Sequence, residues 1–273
     1  MERRQLARQL SAIENGELQV AKTEGLIVAI TGPPGVGKSC LVDGILHRLA
    51  PKHKIAVLAI DPTSPLSGGA LLGDRIRLSV LDDADKSDSI YVRSVATRSS
   101  SGSMPSIVSD LANHLLANSF DLVIIETVGA GQSEMRCAAV ANRIIVVEGP
   151  SRGDGVQAEK AGLLELADLI VVNKSDLEGA GRVVNDLTVS LTLTSDAPPI
   201  IMTSATEGSG LDELSDMVMS LEERVSSRRA RVRQQLLMAH ENIITRNPAF
   251  ETIIDRMSEE GLSIEEALRA IDE

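Results

Sequence analysis

One stretch constrains this chain more than any other: Gly32-Pro33-Pro34-Gly35-Val36-Gly37-Lys38-Ser39 satisfies G-x-x-x-x-G-K-[ST] at every fixed position. An apolar run of strand length, 26–30, leads into it, and a helical stretch, 40–49, leads away. A phosphate-binding turn needs that order. Glycines let backbone N–H groups curl round a phosphate where a Cβ would collide, and the helix N-terminus adds the positive end of its dipole. Lys38 offers a mobile point charge for β- and γ-phosphates, Ser39 offers a hydroxyl to Mg²⁺, and the cradle extends to Cys40. The competing reading is a glycine-rich strand–helix turn with an incidental lysine.

The rest of the chain supplies a sheet for that turn. Apolar runs at 26–30, 55–60, 122–125, 144–147, 169–172 and 200–202 are rich in β-branched residues and continuous rather than alternating. Parallel strands covered on both faces read this way. Helical stretches between them suit right-handed crossovers, which predicts an α/β fold: a doubly wound, mainly parallel sheet of P-loop type with flanking N- and C-terminal helices. Residues 2–14 form an amphipathic helix in this reading, with Leu6, Ala7, Leu10 and Ile13 on one side and Gly16 ending it. After about residue 222 the strand runs stop. Arg224, Arg228, Arg229, Arg231 and Arg233 then open a helix broken at Asn247-Pro248, and shorter helices follow at 249–258 and 263–271. The expected organisation is an N-terminal helical segment 1–24, a nucleotide-binding domain 25–222 and a helical tail 223–273. The tail arginines read as a solvated face with i,i+4 partners such as Glu222 and Glu223, or as a contact arm for a second subunit.

Charge and composition narrow the partners. Lys and Arg total 27 against 39 Asp and Glu, a net charge of −12 that repels a phosphate backbone and argues against nucleic acid. Aromatic residues are only 1%, too few for base-stacking platforms. Cys40 and Cys137 make neither a disulfide framework nor a zinc site by themselves; each is expected to be a small buried apolar residue. No apolar run approaches the roughly 18 residues of a membrane span, and no secretory signal opens the chain, so the expectation is a cytoplasmic protein with no membrane partner.

A phosphate loop does not choose the base; Asn173-Lys174-Ser175-Asp176, directly after the run 169–172, does. An ionised Asp176 accepts from both guanine N1–H and N2–H₂, whereas adenine leaves part of the carboxylate unsatisfied. Asn173 can bridge to the phosphate loop, the Lys174 stem can cover one face of the base, and a backbone N–H at Ser204-Ala205 can bond guanine O6. Asp61 and Glu126 close two of the apolar runs. They therefore fall at the carboxyl edge of the sheet, where a cation held by Ser39 and phosphate oxygens needs acidic support. Asp74 is a further candidate for that cation or an N-cap. Gly129 follows Glu126 as a γ-phosphate sensor would. Gln132 either orients the attacking water or faces solvent. The stretch 62–73 reads as a functional loop.

These segments carry a family resemblance. Ala59-Ile60-Asp61-Pro62-Thr63-Ser64 and Ser67-Gly68-Gly69-Ala70-Leu71-Leu72-Gly73-Asp74-Arg75 resemble the stretch after the second strand in MeaB/ArgK-type GTPases. Glu126-Thr127-Val128-Gly129-Ala130-Gly131-Gln132-Ser133-Glu134 resembles that family's most specific signature, and Gly153-Asp154-Gly155-Val156-Gln157-Ala158 and 161–168 also match. The resemblance implies a GTPase chaperone, usually dimeric, that docks on an adenosylcobalamin-dependent acyl-CoA mutase, gates its cofactor delivery and protects or reactivates it. Methylmalonyl-CoA mutase or a relative is the implied client, and 150–157 falls where the family has a third switch loop. Gly155, where an acidic residue is usual, the unusual Ser151-Arg152 and a shorter tail without tryptophan depart from the family pattern.

The expected ligands are GTP or GDP with Mg²⁺, and the expected reaction is in-line attack of water on the γ-phosphoryl group. No conspicuous base or arginine finger stands out, so intrinsic turnover is expected to be slow; Arg75, Arg77 and Arg152 read better as surface charges. The rival readings are a nickel-type metallochaperone GTPase, a P-loop small-molecule kinase and a nucleotide-gated scaffold without hydrolysis. The first wants paired Cys and His ligands, but the four histidines are scattered at 47, 53, 114 and 240.

Overall fold

The structure, a computed structural model, describes residues 2–61, 78–96, 107–127, 132–150, 158–192, 194, 196–245 and 247–272, without the side chains of 132, 133, 158–161 and 272. The first half of the described chain runs through α1 (Arg3–Glu14), β1 (Leu26–Thr31), α2 (Lys38–Leu49), β2 (Ile55–Asp61), a 3-10 turn (Ser79–Asp82), α3 (Ala84–Ser87), β3 (Ile90–Ala96), α4 (Ile107–Ala117) and β4 (Leu122–Thr127). Next come α5 (Gln132–Arg136), a 3-10 turn (Cys137–Ala139), β5 (Arg143–Glu148), α6 (Ala158–Leu166), β6 (Leu169–Val172), α7 (Ala180–Leu191), β7 (Ile200–Met202) and α8 (Leu211–Ser220). The helices α9 (Val225–Thr245), α10 (Phe250–Glu259) and α11 (Ile264–Asp272) complete it.

The strands pair in the order β3-β2-β4-β1-β5-β6-β7, every pair parallel. Continuous apolar strands have this consequence: both faces must be covered, and two cores result. Ile27 and Ala29 of β1 face a layer built by α1, α4, α6 and α7, while Val28 and Ile30 face α2 and α8. The order reverses at β1, which lies between β4 and β5: the chain fills β2, β3 and β4 on one side of it and then crosses to β5, β6 and β7 on the other. The phosphate loop therefore opens at the crevice where ligands of such sheets bind.

Three sequence-based expectations change here. The sheet has a seventh strand, β3, that the apolar runs do not announce. It is an edge strand, and its Tyr91, Arg93 and Ser94 are only partly buried, so its pattern is mixed. Arg93 on this strand holds both carboxylate oxygens of Glu14, at 2.9 and 2.8 Å, and so pins α1 across it. α1 itself buries Leu6, Leu10 and Ile13 as expected. It ends at Gly16, whose φ of +75° allows the Glu17 N–H to reach the Ala12 carbonyl at 2.8 Å.

The second change concerns the tail arginines. Arg224 and Arg231 are buried rather than solvated, because Asp168, itself 1% exposed, draws them in. Asp168 accepts from Arg231 Nη2, from the Arg224 backbone N–H at 3.0 Å and from the Ile144 N–H at 2.8 Å. Arg224 also donates to the carbonyls of Ala167 and Asp196. Third, Cys137 is buried as expected, but Cys40 is exposed on the first turn of α2. No described helix is long and apolar enough to cross a membrane.

Candidate functional site

The phosphate loop joins β1 to α2, and its glycines sit where backbone geometry requires them. Gly32 has φ +137°, and a Cβ there would strike the Val147 carbonyl. Gly37 has φ +93°, and its Cβ would lie 2.5 Å from Asn173 Nδ2. Lys38, buried and at the start of α2, donates from Nζ to the carbonyls of Gly32 at 2.6 Å and Pro33 at 2.8 Å. The ammonium is thus folded back into its own loop. Burial pulls its pKa below the usual lysine range, against the attraction of Glu126, Glu134 and Glu148. Pro34, Gly35, Ser39 and Cys40 are exposed at the mouth, and Val36 packs into the α2 core.

Two acids converge on Ser39. The Ser39 hydroxyl donates to Glu126 Oε1 at 2.5 Å, and Asp61 lies near enough to raise the Glu126 carboxyl further. Asp61 ends β2 and Glu126 is the last residue but one of the adjacent β4, and both are buried, at 3% and 7% exposure. Among the described residues, Asp61 Oδ2 and Glu126 Oε2 have no hydrogen-bond partner. Burial raises both carboxyls above the usual range; the Ser39 bond and Lys38 oppose this at Glu126, and a Ser94 hydrogen bond opposes it at Asp61. Buried oxygens without donors fit a hard cation, which accepts such oxygen ligands directly or through water. Among the described residues no three or more His, Cys, Asp or Glu converge on a cation site. A metal here would therefore need Ser39 and phosphate oxygens to complete its shell.

The base-selecting segment follows β6. Asn173 Nδ2 donates to the Val36 carbonyl at 2.8 Å, and its Oδ1 accepts from the Thr203 hydroxyl at 3.1 Å and the Ala205 N–H at 3.2 Å. One side chain thus ties the phosphate loop to the segment after β7. Lys174 takes a left-handed conformation, φ +60°, and donates from Nζ to the Gly35 carbonyl at 2.8 Å. Its stem therefore crosses from β6 to the loop. Asp176 is exposed, and its Oδ1 accepts from the buried Ser204 hydroxyl at 2.5 Å.

Of the residues singled out from the sequence, Asp61, Glu126 and Ser39 meet at one end of the loop, and Asn173, Lys174, Asp176, Ser204 and Ala205 meet at the other. Gly129 and Asp74 lie outside the described residues, as do Arg75, Arg77, Arg152 and the stretches 62–73 and 151–157. Gln132 opens α5, but its side chain is not described. Three participants went unannounced: Ser94, on the strand whose pattern was mixed, Thr203, and Thr31, which touches Thr127.

A family profile described as "Methylmalonyl Co-A mutase-associated GTPase MeaB" matches residues 4–261. A Pyrococcus abyssi protein named as a GTPase is 36% identical over 292 aligned positions, covering 96% of this chain and 89% of its own length. The fused isobutyryl-CoA mutase of Paraburkholderia xenovorans is 35% identical across 67% of this chain, a match that spans 16% of the fused protein. A crystal structure of a LAO/AO transport system kinase superposes with a TM-score of 0.59, covering 97% of this chain and 85% of that one. At 23% identity that likeness speaks for the fold. With a phosphate loop, a base-selecting segment and paired strand-end acids on one edge of the sheet, and a profile running from α1 past the end of α10, this chain belongs to the MeaB family of methylmalonyl-CoA mutase-associated GTPases.

Proposed function

We propose that this GTPase gates adenosylcobalamin loading into an acyl-CoA mutase and protects or reactivates that enzyme, with methylmalonyl-CoA mutase or a relative as client. Family membership carries the link to mutases, and a relative in which the two are one fused protein supports a direct contact. On the nucleotide side, one observation carries the reading: the oxygens of Asp61 and Glu126 that have no partner among the described residues, beside the Ser39 hydroxyl. In this reading Ser39, Asp61, Glu126 and Asp74 support Mg²⁺, directly or through water. When bound, the ion neutralises charge on the β- and γ-phosphate oxygens.

The chain's own residues do the rest. Backbone N–H groups of 32–40 wrap the phosphates, and Lys38 swings from the Gly32 and Pro33 carbonyls onto the β- and γ-phosphates. Asp176 accepts from guanine N1–H and N2–H₂, and Ser204-Ala205 takes guanine O6. That last contact requires the Ala205 N–H to leave or share its 3.2 Å bond with Asn173. Gly129 senses the γ-phosphate and Gln132 orients the attacking water; no arginine finger is needed for slow turnover.

The tail 223–273 serves as a dimer arm in this reading. α9 turns its polar residues Ser227 and Arg231 into the domain and leaves Val225, Val232, Leu236 and Ile243 exposed along the opposite side. Over 21 residues that stripe spans roughly 30 Å. The first half of α9 carries Arg228, Arg229 and Arg233, whereas α10 and α11 are acidic, so an antiparallel second copy matches it in charge. Leu236→Glu is expected to yield monomers in sedimentation analysis.

The test of the function uses a purified adenosylcobalamin-dependent acyl-CoA mutase titrated with this protein in GDP and in a non-hydrolysable GTP analogue with Mg²⁺. Affinity is expected to differ by at least about fivefold between the two, roughly 1 kcal/mol of coupling. Equal affinities would overturn gating, and no binding in either state would overturn the client.

A further inference from the structure

β1 is the central strand of the sheet and β4 its neighbour, and their backbone register runs from Leu26↔Leu122 to Ile30↔Glu126. One step further, beyond the last registered pair, stand Thr31 and Thr127, both fully buried at 0% and 1% exposure. There the Thr127 hydroxyl donates to Thr31 Oγ1 at 2.8 Å. Each threonine occupies a junction. Thr31 is the last residue of β1 and immediately precedes Gly32, whose carbonyl holds Lys38. Thr127 is the last residue of β4, follows Glu126, and precedes Val128-Gly129. Side chains alternate along a strand, so Glu126 faces α2 and Ser39 while Thr127 faces the opposite layer.

We propose that Thr31 and Thr127 are positioning residues: their hydrogen bond extends the β1–β4 ladder by one side-chain rung and sets the spacing between the phosphate cradle and the strand end that carries Glu126 and leads to Gly129. The inference rests on the nucleotide reading above and adds a means by which the site keeps its geometry. Parallel strands diverge once their backbone bonds stop, and this divergence would separate the two halves of a γ-phosphate site. A buried hydroxyl pair is costly to leave half-made, so it holds one geometry. Reaction rates respond to small displacements of such groups, whereas GDP, which lacks the γ-phosphate, is held by the loop and the base-selecting segment and draws nothing from the strand end beyond Thr127.

The same chemistry supplies the test. Thr127→Val and Thr31→Val each strand one buried hydroxyl, which destabilises the fold. The double variant Thr31→Val/Thr127→Val removes both hydroxyls in nearly the same shape and regains most of the lost stability. A purely structural pair predicts that activity recovers together with stability in the double variant. A positioning pair predicts that kcat for GTP stays about fivefold to tenfold below wild type while GDP affinity stays within about twofold, the equivalent of one lost hydrogen bond in the transition state. Thr127→Ser, which keeps the hydroxyl, is expected to retain wild-type kcat. Recovery of kcat in the double variant, or an equal loss of GDP affinity and kcat, overturns the proposal. Failure of the wild-type protein to bind guanine nucleotide would instead overturn the reading of the site.

Discussion

Glu126→Gln and Asp61→Asn test whether the two strand-end acids are kept for a cation at a cost to the nucleotide-free fold. Each carboxylate has one buried oxygen without a donor among the described residues. Such an oxygen costs about 1–3 kcal/mol. At Glu126 the Ser39 hydroxyl and Lys38 offset part of the penalty. The gain on neutralisation is therefore about 1 kcal/mol at Glu126 and somewhat more at Asp61, where Ser94 alone among the described residues helps. For a chain of this size that is a rise in Tm of about 3 °C.

The pH dependence has a definite sign. A carboxyl whose folded pKa lies above its unfolded value keeps its proton longer in the native state, so the native protein binds more protons between the two values and stability falls as pH rises through them. Below the ordinary carboxylate range the burial penalty is absent; above the raised values it is complete. The advantage of either variant should accordingly grow from acid towards neutral pH and then level off. Melting by calorimetry without nucleotide, from about pH 4 to about pH 8, reads the first effect. Titration of GTP with and without Mg²⁺ reads the second: both variants are expected to lose at least about tenfold of the Mg²⁺-dependent affinity, roughly 1.4 kcal/mol. A Glu126→Gln protein that melts below wild type at neutral pH, and binds Mg²⁺·GTP as tightly, would refute the reasoning.

Asp168→Ala removes the acceptor for Arg231 and for two backbone N–H groups and should cost about 4 kcal/mol, more than Arg231→Met, with hydrogen exchange rising first in α9; a loss under about 1 kcal/mol in urea melts would show that the tail is not held there. Asp176→Asn turns an acceptor into a donor opposite guanine N2–H₂. It should weaken GTP by at least about a hundredfold and favour a xanthine nucleotide, whose C2 oxygen accepts; unchanged base preference in competition binding would count against Asp176 as the selector. Among the thiols, an uncharged maleimide should label exposed Cys40 and leave Cys137 untouched, because burial pushes the Cys137 thiol up to about 12. GDP with Mg²⁺ should slow Cys40 labelling at least about tenfold; labelling indifferent to nucleotide would place the phosphates elsewhere.

Much of the site was legible because its parts are short and local. The phosphate loop is one turn between a strand and a helix, and its glycines carry their geometric requirement in their identity, as φ +137° at Gly32 and +93° at Gly37 show. Asn173 to Asp176 is likewise contiguous and follows a strand that periodicity identifies. β3 was harder to read because an edge strand half-covered by α1 tolerates Tyr91, Arg93 and Ser94, and apolar continuity marks only strands buried on both faces. Its omission also hid Ser94 as the partner of Asp61. Arg224 and Arg231 looked like surface charges because helix periodicity cannot know that Asp168, more than fifty residues earlier, waits beneath the helix. Cys40 failed in the other direction: cysteine is commonly buried, but the first turn of α2 opens on the mouth of the loop.

By itself the amino-acid order determined the α/β class, the phosphate loop, the base-selecting segment and the family, since each depends on residue types at fixed, short spacing. Only the tertiary structure decided which atoms meet across the sheet. Asn173 reaches Val36, Ser204 reaches Asp176, Ser39 reaches Glu126, and Thr127 reaches Thr31 one step past the last backbone pair. Those contacts follow from strand order and register, which bring together residues as far as 137 positions apart, and no local pattern carries that information.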